Sequence, residues 1–203
     1  MLQSLGISHR FLFFVGFCVA CSSAEKHSSV DSSDTSTPSW WESVETPGDF
    51  DTEWAAQWSE IVTPIGVGAI LIENLGSGSK IDLAWAQQSA VACFPANQDE
   101  LFSGPHRFFV MQQEADQALT VRVEPAPGVD ISLYTLQQST ESFVLPPETV
   151  SAVSCDASLN GAEGDEEELW LWGPNNPYNV IVGVAGVREQ DEGRYLLSVT
   201  ADD

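Results

Sequence analysis

Residues 119–125, LTVRVEP, decide the fold, because apolar and polar side chains alternate along this stretch. Leu119, Val121 and Val123 fall on one face of an extended chain, and polar residues occupy the positions between them. Successive side chains of a β-strand point to opposite faces of a sheet. The stretch therefore predicts a strand with one face in a protein core and the other toward solvent.

The same alternation recurs along the chain beyond residue 64. In VDISLYTL it directs Val129, Ile131 and Leu133 inward and Tyr134 outward. Further strands are predicted at residues 68–73, 80–86, 106–112, 168–172, 178–186 and 194–200, with Gly- and Pro-rich turns between them. Many short alternating strands with few helical windows predict an all-β fold, an antiparallel β-sandwich.

The N-terminal residues have the composition of an export signal. Residues 11–20, FLFFVGFCVA, form an apolar run after Arg10, too short for the roughly 20 residues of a membrane-spanning helix but typical of a signal peptide. The four residues that end at Cys21, CVAC, resemble the lipobox of bacterial lipoprotein precursors. The resemblance implies a lipid on the Cys21 thiol, which anchors an exported protein to a bilayer at the outer membrane or cell surface. The alternative is an ordinary signal peptide cut near Ala20 or Ala24.

A polar segment separates this signal from the predicted strands. Of the eighteen residues that follow Cys21, ten are Ser or Thr, and so polar a segment cannot bury enough surface to fold. We therefore expect a signal peptide over residues 1–20, a flexible lipidated tether over residues 21–53 and a β-sandwich domain over residues 54–203.

The charge of the chain excludes one large class of partners. Seven Lys and Arg residues against 30 Asp and Glu residues give a formal net charge of −23. A polyanion such as nucleic acid is repelled by such a protein, and so are anionic lipid headgroups. We therefore expect no nucleic-acid partner and membrane contact only through the lipid anchor.

Two cysteines remain in the predicted domain, Cys93 and Cys155. In an oxidising compartment outside the cytosol, two such cysteines are expected to form a disulfide. No histidine is near either of them in sequence, and no Asp-x-Asp-x-Asp-Gly calcium loop occurs. The sequence therefore predicts a disulfide and neither a metal site nor a cofactor.

The order of the strands between residues 104 and 201 carries a family resemblance. A Phe-containing strand and a Leu-Thr-Val strand precede an Asp-x-x-Leu-Tyr strand, a Tyr-x-Val-x-Val strand and a closing Gly-x-Tyr-x-Leu-x-Val strand. The last three motifs are Asp130, Leu133 and Tyr134; Tyr178, Val180 and Val182; and Gly193, Tyr195, Leu197 and Val199. In this order they resemble bacterial pre-peptidase C-terminal domains. The resemblance implies a jelly-roll-like sandwich and an accessory role in binding, secretion or folding beside a secreted enzyme.

Catalytic chemistry has little support in the sequence. His106 is the only histidine after the tether, and it starts a predicted strand. No Gly-x-Ser-x-Gly motif and no other recognisable active-site motif accompanies it. We interpret His106 as a surface or strand-edge residue and expect no enzyme. Hydrogen bonds from His106 to both a serine and a carboxylate would instead favour a hydrolase.

The tryptophans are the candidate binding residues. Trp170 and Trp172 alternate with leucines, so they form either an exposed aromatic strip for a glycan or protein partner, or a row covered by another segment. Trp40 and Trp41 belong either to a docking segment or to a lid packed on the domain. The sequence thus favours a non-catalytic, surface-tethered binding module in the cell envelope. A hydrolase with an unrecognised site and a purely structural lipoprotein are the alternatives.

Overall fold

The structure is a computed structural model that describes Gly48 and residues 62–88, 93, 99–140, 144–146, 152–158 and 164–202. The chain divides into two units, Met1–Thr35 and Ser36–Asp203, and every described residue belongs to the second. The predicted signal peptide and lipidation residue lie outside the described residues, as do Trp40, Trp41 and all of the predicted tether except Gly48, and these predictions stay untested.

The described part of the chain is built almost entirely from strands. In chain order they are β1 (Val62–Pro64), β2 (Ile70–Asn74), β3 (His106–Gln113), β4 (Gln117–Pro125), β5 (Ile131–Ser139), β6 (Ala152–Ser158), β7 (Glu167–Gly173), β8 (Tyr178–Gly186) and β9 (Arg194–Asp202). One short α-helix, α1 (Ala84–Gln88), and two 3-10 turns, Leu75–Ser77 and Asp99–Phe102, lie between β2 and β3. The sequence pattern did not predict β1 and β6.

The strands form two sheets. A five-stranded sheet has the order β1-β3-β8-β5-β6, and a four-stranded sheet has the order β2-β9-β4-β7. Neighbouring strands are antiparallel throughout, except that β1 is parallel to β3. The predicted all-β, antiparallel sandwich is confirmed.

The main core lies between the two sheets and uses the side chains that alternation directed inward. Val121 of β4, Ile131 of β5 and Val182 of β8 are 0%, 2% and 0% exposed. Leu119, Leu133 and Leu197 belong to the same core. Burial of such side chains contributes about 1.5–3 kcal/mol each, so this shared interior is the main source of stability.

A second core lies on the outer face of the five-stranded sheet. There Tyr134 of β5 and Ile181 of β8 pack with Trp85 and Phe102 from the chain between β2 and β3. Tyr134 lies on the outer side of β5, as alternation predicted, but this segment covers that face and leaves Tyr134 0% exposed. Its ring lies over Gly183, the cross-strand partner of Tyr134, where a Cβ would collide with the ring.

The covering segment contains the helix α1 where a strand was predicted. Ile81, Leu83 and Trp85 alternate as in a strand, but the Asp82 carboxylate accepts a hydrogen bond from the Ala84 amide at 2.9 Å. A carboxylate in this position caps a helix and favours its start over an extended chain.

Among the described residues, no helix has the length and apolar character needed to cross a membrane.

Candidate functional site

Two tryptophans project from the outer face of the four-stranded sheet. Trp170 is 58% exposed and Trp172 is 43% exposed, whereas Leu169 and Leu171 between and beside them are buried in the main core. The two indole planes are parallel within 1°, and their ring centroids are 6.2 Å apart. The sequence left open whether these two rings are exposed or covered by another segment, and in the structure both are exposed. We call the surface around these two rings the Trp face.

The strand that carries the rings is an edge strand, and buried glutamines hold it. Among the described strands, β7 ends the four-stranded sheet and has β4 as its single neighbour. The Gln137 side chain, which is buried in β5 of the other sheet, donates a hydrogen bond to the Trp172 carbonyl at 3.3 Å and to Gln113 Oε1 at 2.6 Å. Gln113 Nε2 in turn donates to the Gln117 carbonyl at 2.9 Å. This network ties the two sheets together at the position of Trp172.

Sequence reasoning missed these glutamines. Gln113 is 0% exposed and Gln137 is 6% exposed. Both glutamines lie within otherwise apolar strands. A polar side chain at such a position needs a hydrogen-bond partner inside the protein, and this pattern could have predicted the network.

Small side chains lie beside the two rings across the sheet. Trp170 is opposite Thr120 of β4, and Trp172 is opposite Ala118. One strand further, Asp202 of β9 is opposite Ala118 and accepts a hydrogen bond from Thr120 Oγ1 at 3.0 Å. Ala118 and Thr120 are too small to cover an indole ring, so the Trp face stays open on this side.

The other end of the Trp face is acidic. Glu168 lies two residues before Trp170 on the same side of β7 and is exposed. Its cross-strand partner Arg122 forms an ion pair with Glu166. The hydrogen bond to Glu166 raises the pKa of Arg122, and Glu168 and Glu124 raise it further through their charges. This end of the Trp face therefore holds one guanidinium group, that of Arg122, together with acidic side chains.

His106 does not have the surroundings of a catalytic base. The prediction that it lies at a surface or strand edge was wrong, since His106 starts β3 but is only 3% exposed beneath the second core. Its Nδ1 is 3.1 Å from the Gly104 carbonyl, and its Nε2 has no hydrogen-bond partner among the described residues. Burial lowers the pKa of His106 to about 4. At neutral pH the ring is an uncharged part of an aromatic cluster with Phe108 and Tyr134.

The two predicted disulfide partners both border the second core. Cys93 packs against it, and Cys155 lies in β6 opposite Leu136, a member of that core. The Cys155 side chain is outside the described part, so the bond between them stays a prediction. Within the described residues, no group of three or more His, Cys, Asp or Glu side chains is placed to hold a metal ion.

Comparison with known proteins gives only distant structural likenesses. No family model and no curated protein matches the chain. The solved pre-peptidase C-terminal domain of a collagenase from Bacillus anthracis has 10% identity and a TM-score of 0.38, over 71% of this chain and 99% of that one.

Two further solved structures have similar scores. PliG from Aeromonas hydrophila, a periplasmic inhibitor of g-type lysozyme, has 11% identity and a TM-score of 0.36, over 70% of this chain and 97% of that one. CorA from Methylomicrobium album BG8 is a surface-associated copper-binding protein. It has 8% identity and a TM-score of 0.38, over 70% of this chain and 100% of that one. None of these likenesses bears on the function of this chain.

Proposed function

We propose that the chain is a non-catalytic binding module of the cell envelope, exported and tethered to a membrane by a lipid on Cys21. In this proposal the Trp face is the surface that contacts a protein or glycan partner. A tether over residues 21–53 has a root-mean-square reach of about 30 Å, which lifts the domain clear of the lipid headgroups.

The exposed tryptophan pair is the observation that supports this proposal. Trp170 and Trp172 are the largest side chains of β7, and both remain about half exposed while the leucines beside them are buried. Soluble proteins seldom leave neighbouring large aromatic residues in water unless the patch is an interaction site. Tryptophan is also enriched among the residues that dominate binding energy at interfaces.

The surface is also preorganised. The Gln137 side chain fixes the backbone of Trp172 from the opposite sheet, and β4 fixes β7 along its whole length. Rigid aromatic groups lose little conformational entropy on binding, which favours a binding role for this strand.

The binding role is tested with defined probes and the purified full chain. We would measure co-sedimentation with peptidoglycan sacculi, chitin and cellulose, and capture on arrays of synthetic peptides that span neutral, basic and acidic sequences. At least one probe should bind the wild type and lose about tenfold in affinity in the double variant Trp170→Ser, Trp172→Ser.

Ile70→Ser provides the matched control. Ile70 is 38% exposed on β2, the opposite edge strand of the same sheet, so its loss removes exposed apolar surface away from the Trp face. This variant should bind as the wild type does. Equal binding of every probe by the wild type and the double tryptophan variant would overturn the proposed binding surface.

The anchor is tested separately. Radiolabelled palmitate should enter the wild-type chain in a bacterial expression host and be absent from Cys21→Ala, because the lipid is attached to that thiol. Labelling of the Cys21→Ala variant at the wild-type level would contradict the anchor and leave the binding surface untouched.

A further inference from the structure

The Trp face combines open aromatic rings with exposed carboxylates, of which Glu168 lies opposite Arg122 of β4. Glu168 lies about 7 Å from Trp170 along β7, and Asp202 lies about 10 Å from Trp172 across two strand spacings, by the standard dimensions of a sheet. Both acidic residues are exposed. A ligand over the rings therefore has a carboxylate along the strand and another across the sheet.

Of the seven Lys and Arg residues in the sequence, four form ion pairs with carboxylates of the chain among the described residues. Ion pairs join Lys80 to Glu189, Arg107 to Glu73, Arg122 to Glu166 and Arg188 to Asp191. The formal net charge of −23 is what remains beyond such pairs. The Trp face thus belongs to a strongly anionic protein. The hydrogen bond to Glu166 is the main cause of the raised pKa of Arg122 beside the rings, and the charges of Glu168 and Glu124 add to it.

We propose that the partner bound at the Trp face is a cationic protein segment, with Arg or Lys side chains against the rings of Trp170 and Trp172 and near the carboxylates of Glu168 and Asp202. This inference rests on the proposed function and names its partner class. The negative face of an indole ring attracts cations, and tryptophan does so better than the other aromatic residues. Opposite charges on the two partners also speed their encounter.

The charge argues against three other occupants. A second copy of the chain brings the same net charge of −23, so two Trp faces repel each other. The chain's own N-terminal residues are no better suited, because residues 27–79 contain no Lys or Arg. A neutral glycan carries no charge, so the net negative charge of the chain does not draw it to the rings.

The test compares two labelled decapeptides by fluorescence anisotropy with the purified full chain. One alternates Arg and Gly, and the other replaces every Arg with citrulline, which has the same shape without the charge. The Arg peptide should bind at least about tenfold more tightly than the citrulline peptide, and it should lose about tenfold in affinity in the Trp170→Ser, Trp172→Ser variant. Raising NaCl from about 0.05 to about 0.3 M should weaken its binding.

A pair of charge variants separates the Trp face from the general field. Glu168→Gln should weaken Arg-peptide binding by about threefold or more, because it removes the carboxylate nearest to the rings. Glu189→Gln, which removes one carboxylate from the loop between β8 and β9, should stay within about twofold of the wild type. Equal effects of the two variants would show only nonspecific attraction and would overturn the proposal.

The remaining outcomes also decide the matter. Equal binding of the Arg and citrulline peptides overturns the cationic partner. Chitin or peptidoglycan binding that depends on the two tryptophans, without any Arg-peptide binding, would also overturn the cationic partner. The proposed binding function would then be retained, with a glycan as the ligand. Self-association that disappears in the double tryptophan variant, measured by analytical ultracentrifugation, overturns the proposal in favour of a second copy.

Discussion

The outer faces of the two sheets differ in what lies on them. On the five-stranded sheet, residues from the chain between β2 and β3 cover Tyr134 and Ile181 and close a second core. On the four-stranded sheet, Trp170 and Trp172 are open to solvent among polar neighbours. Among the described residues, a covering segment therefore lies on one aromatic sheet face and not on the other. That contrast gives the covered face a part in stability and leaves the open face as the proposed binding surface.

The largest expected effect is on the free energy of unfolding, when one aromatic residue from each face is replaced by alanine. Phe102 is 0% exposed, and its ring packs edge-on against Tyr134 with centroids 5.5 Å apart. Phe102→Ala should lower the free energy of unfolding by about 3–5 kcal/mol, because it leaves a cavity in the second core. Trp170→Ala should lower it by no more than about 1 kcal/mol. Urea unfolding followed by circular dichroism measures the free energy of unfolding of both variants. Equal decreases would show that the two faces do not differ in their contribution to stability.

The next prediction concerns acid and the covered face. The pKa of His106 is about 4 in the folded protein against 6.5 for an unperturbed histidine, since burial disfavours the charged ring. The unfolded chain therefore binds this proton first, so the stabilising effect is complete above pH 6.5 and is lost as the pH falls toward 4. The expected loss of unfolding free energy at the acid end is about 3 kcal/mol.

His106→Gln is the control for this pH dependence. The variant retains a side-chain donor for the Gly104 carbonyl but has no proton to gain in this range. Its unfolding free energy should fall less steeply than that of the wild type between about pH 6.5 and pH 4.5. Parallel curves for the two proteins would show that His106 is not held neutral by the second core.

The smallest of the three effects tests how closely the covered face is packed. Gly183→Ala should lower the free energy of unfolding by about 1–3 kcal/mol, because its new methyl group meets the Tyr134 ring. Ser198→Thr adds a methyl group on the half-buried outer side of β9 and should change it by less than about 0.5 kcal/mol. Thermal melts of the two variants suffice, and a neutral Gly183→Ala would mean that the ring has room to move.

The inward faces of the strands were predictable from the sequence, because alternation is set by the local geometry of each strand. Val121, Ile131 and Val182 all lie where that rule placed them. The second core was not predicted, although YNVIVGVAG has apolar residues on both faces of the strand. Such a strand is buried on both sides, and this was the signal for a covering layer.

For the candidate site, the sequence predicted two alternatives, exposed or covered tryptophan rings, and could not decide between them. Alternation put Trp170 and Trp172 on the outer side of β7, but their exposure depends on whether a segment distant in sequence reaches them. The same dependence on distant segments explains the wrong prediction for His106, which the chain before β3 covers. The helix α1 shows the opposite failure, because Ile81, Leu83 and Trp85 alternate as in a strand and yet the chain becomes helical at Ala84.

The place of β9 in the sheet order has a consequence for the order of folding. β9 lies between β2 and β4, so that Ile70 pairs with Ser198. The pairs that β9 makes with these two strands close long stretches of chain, and pairing across so many residues is slow. The middle of the four-stranded sheet therefore assembles late, after the hairpins that join strands close in sequence.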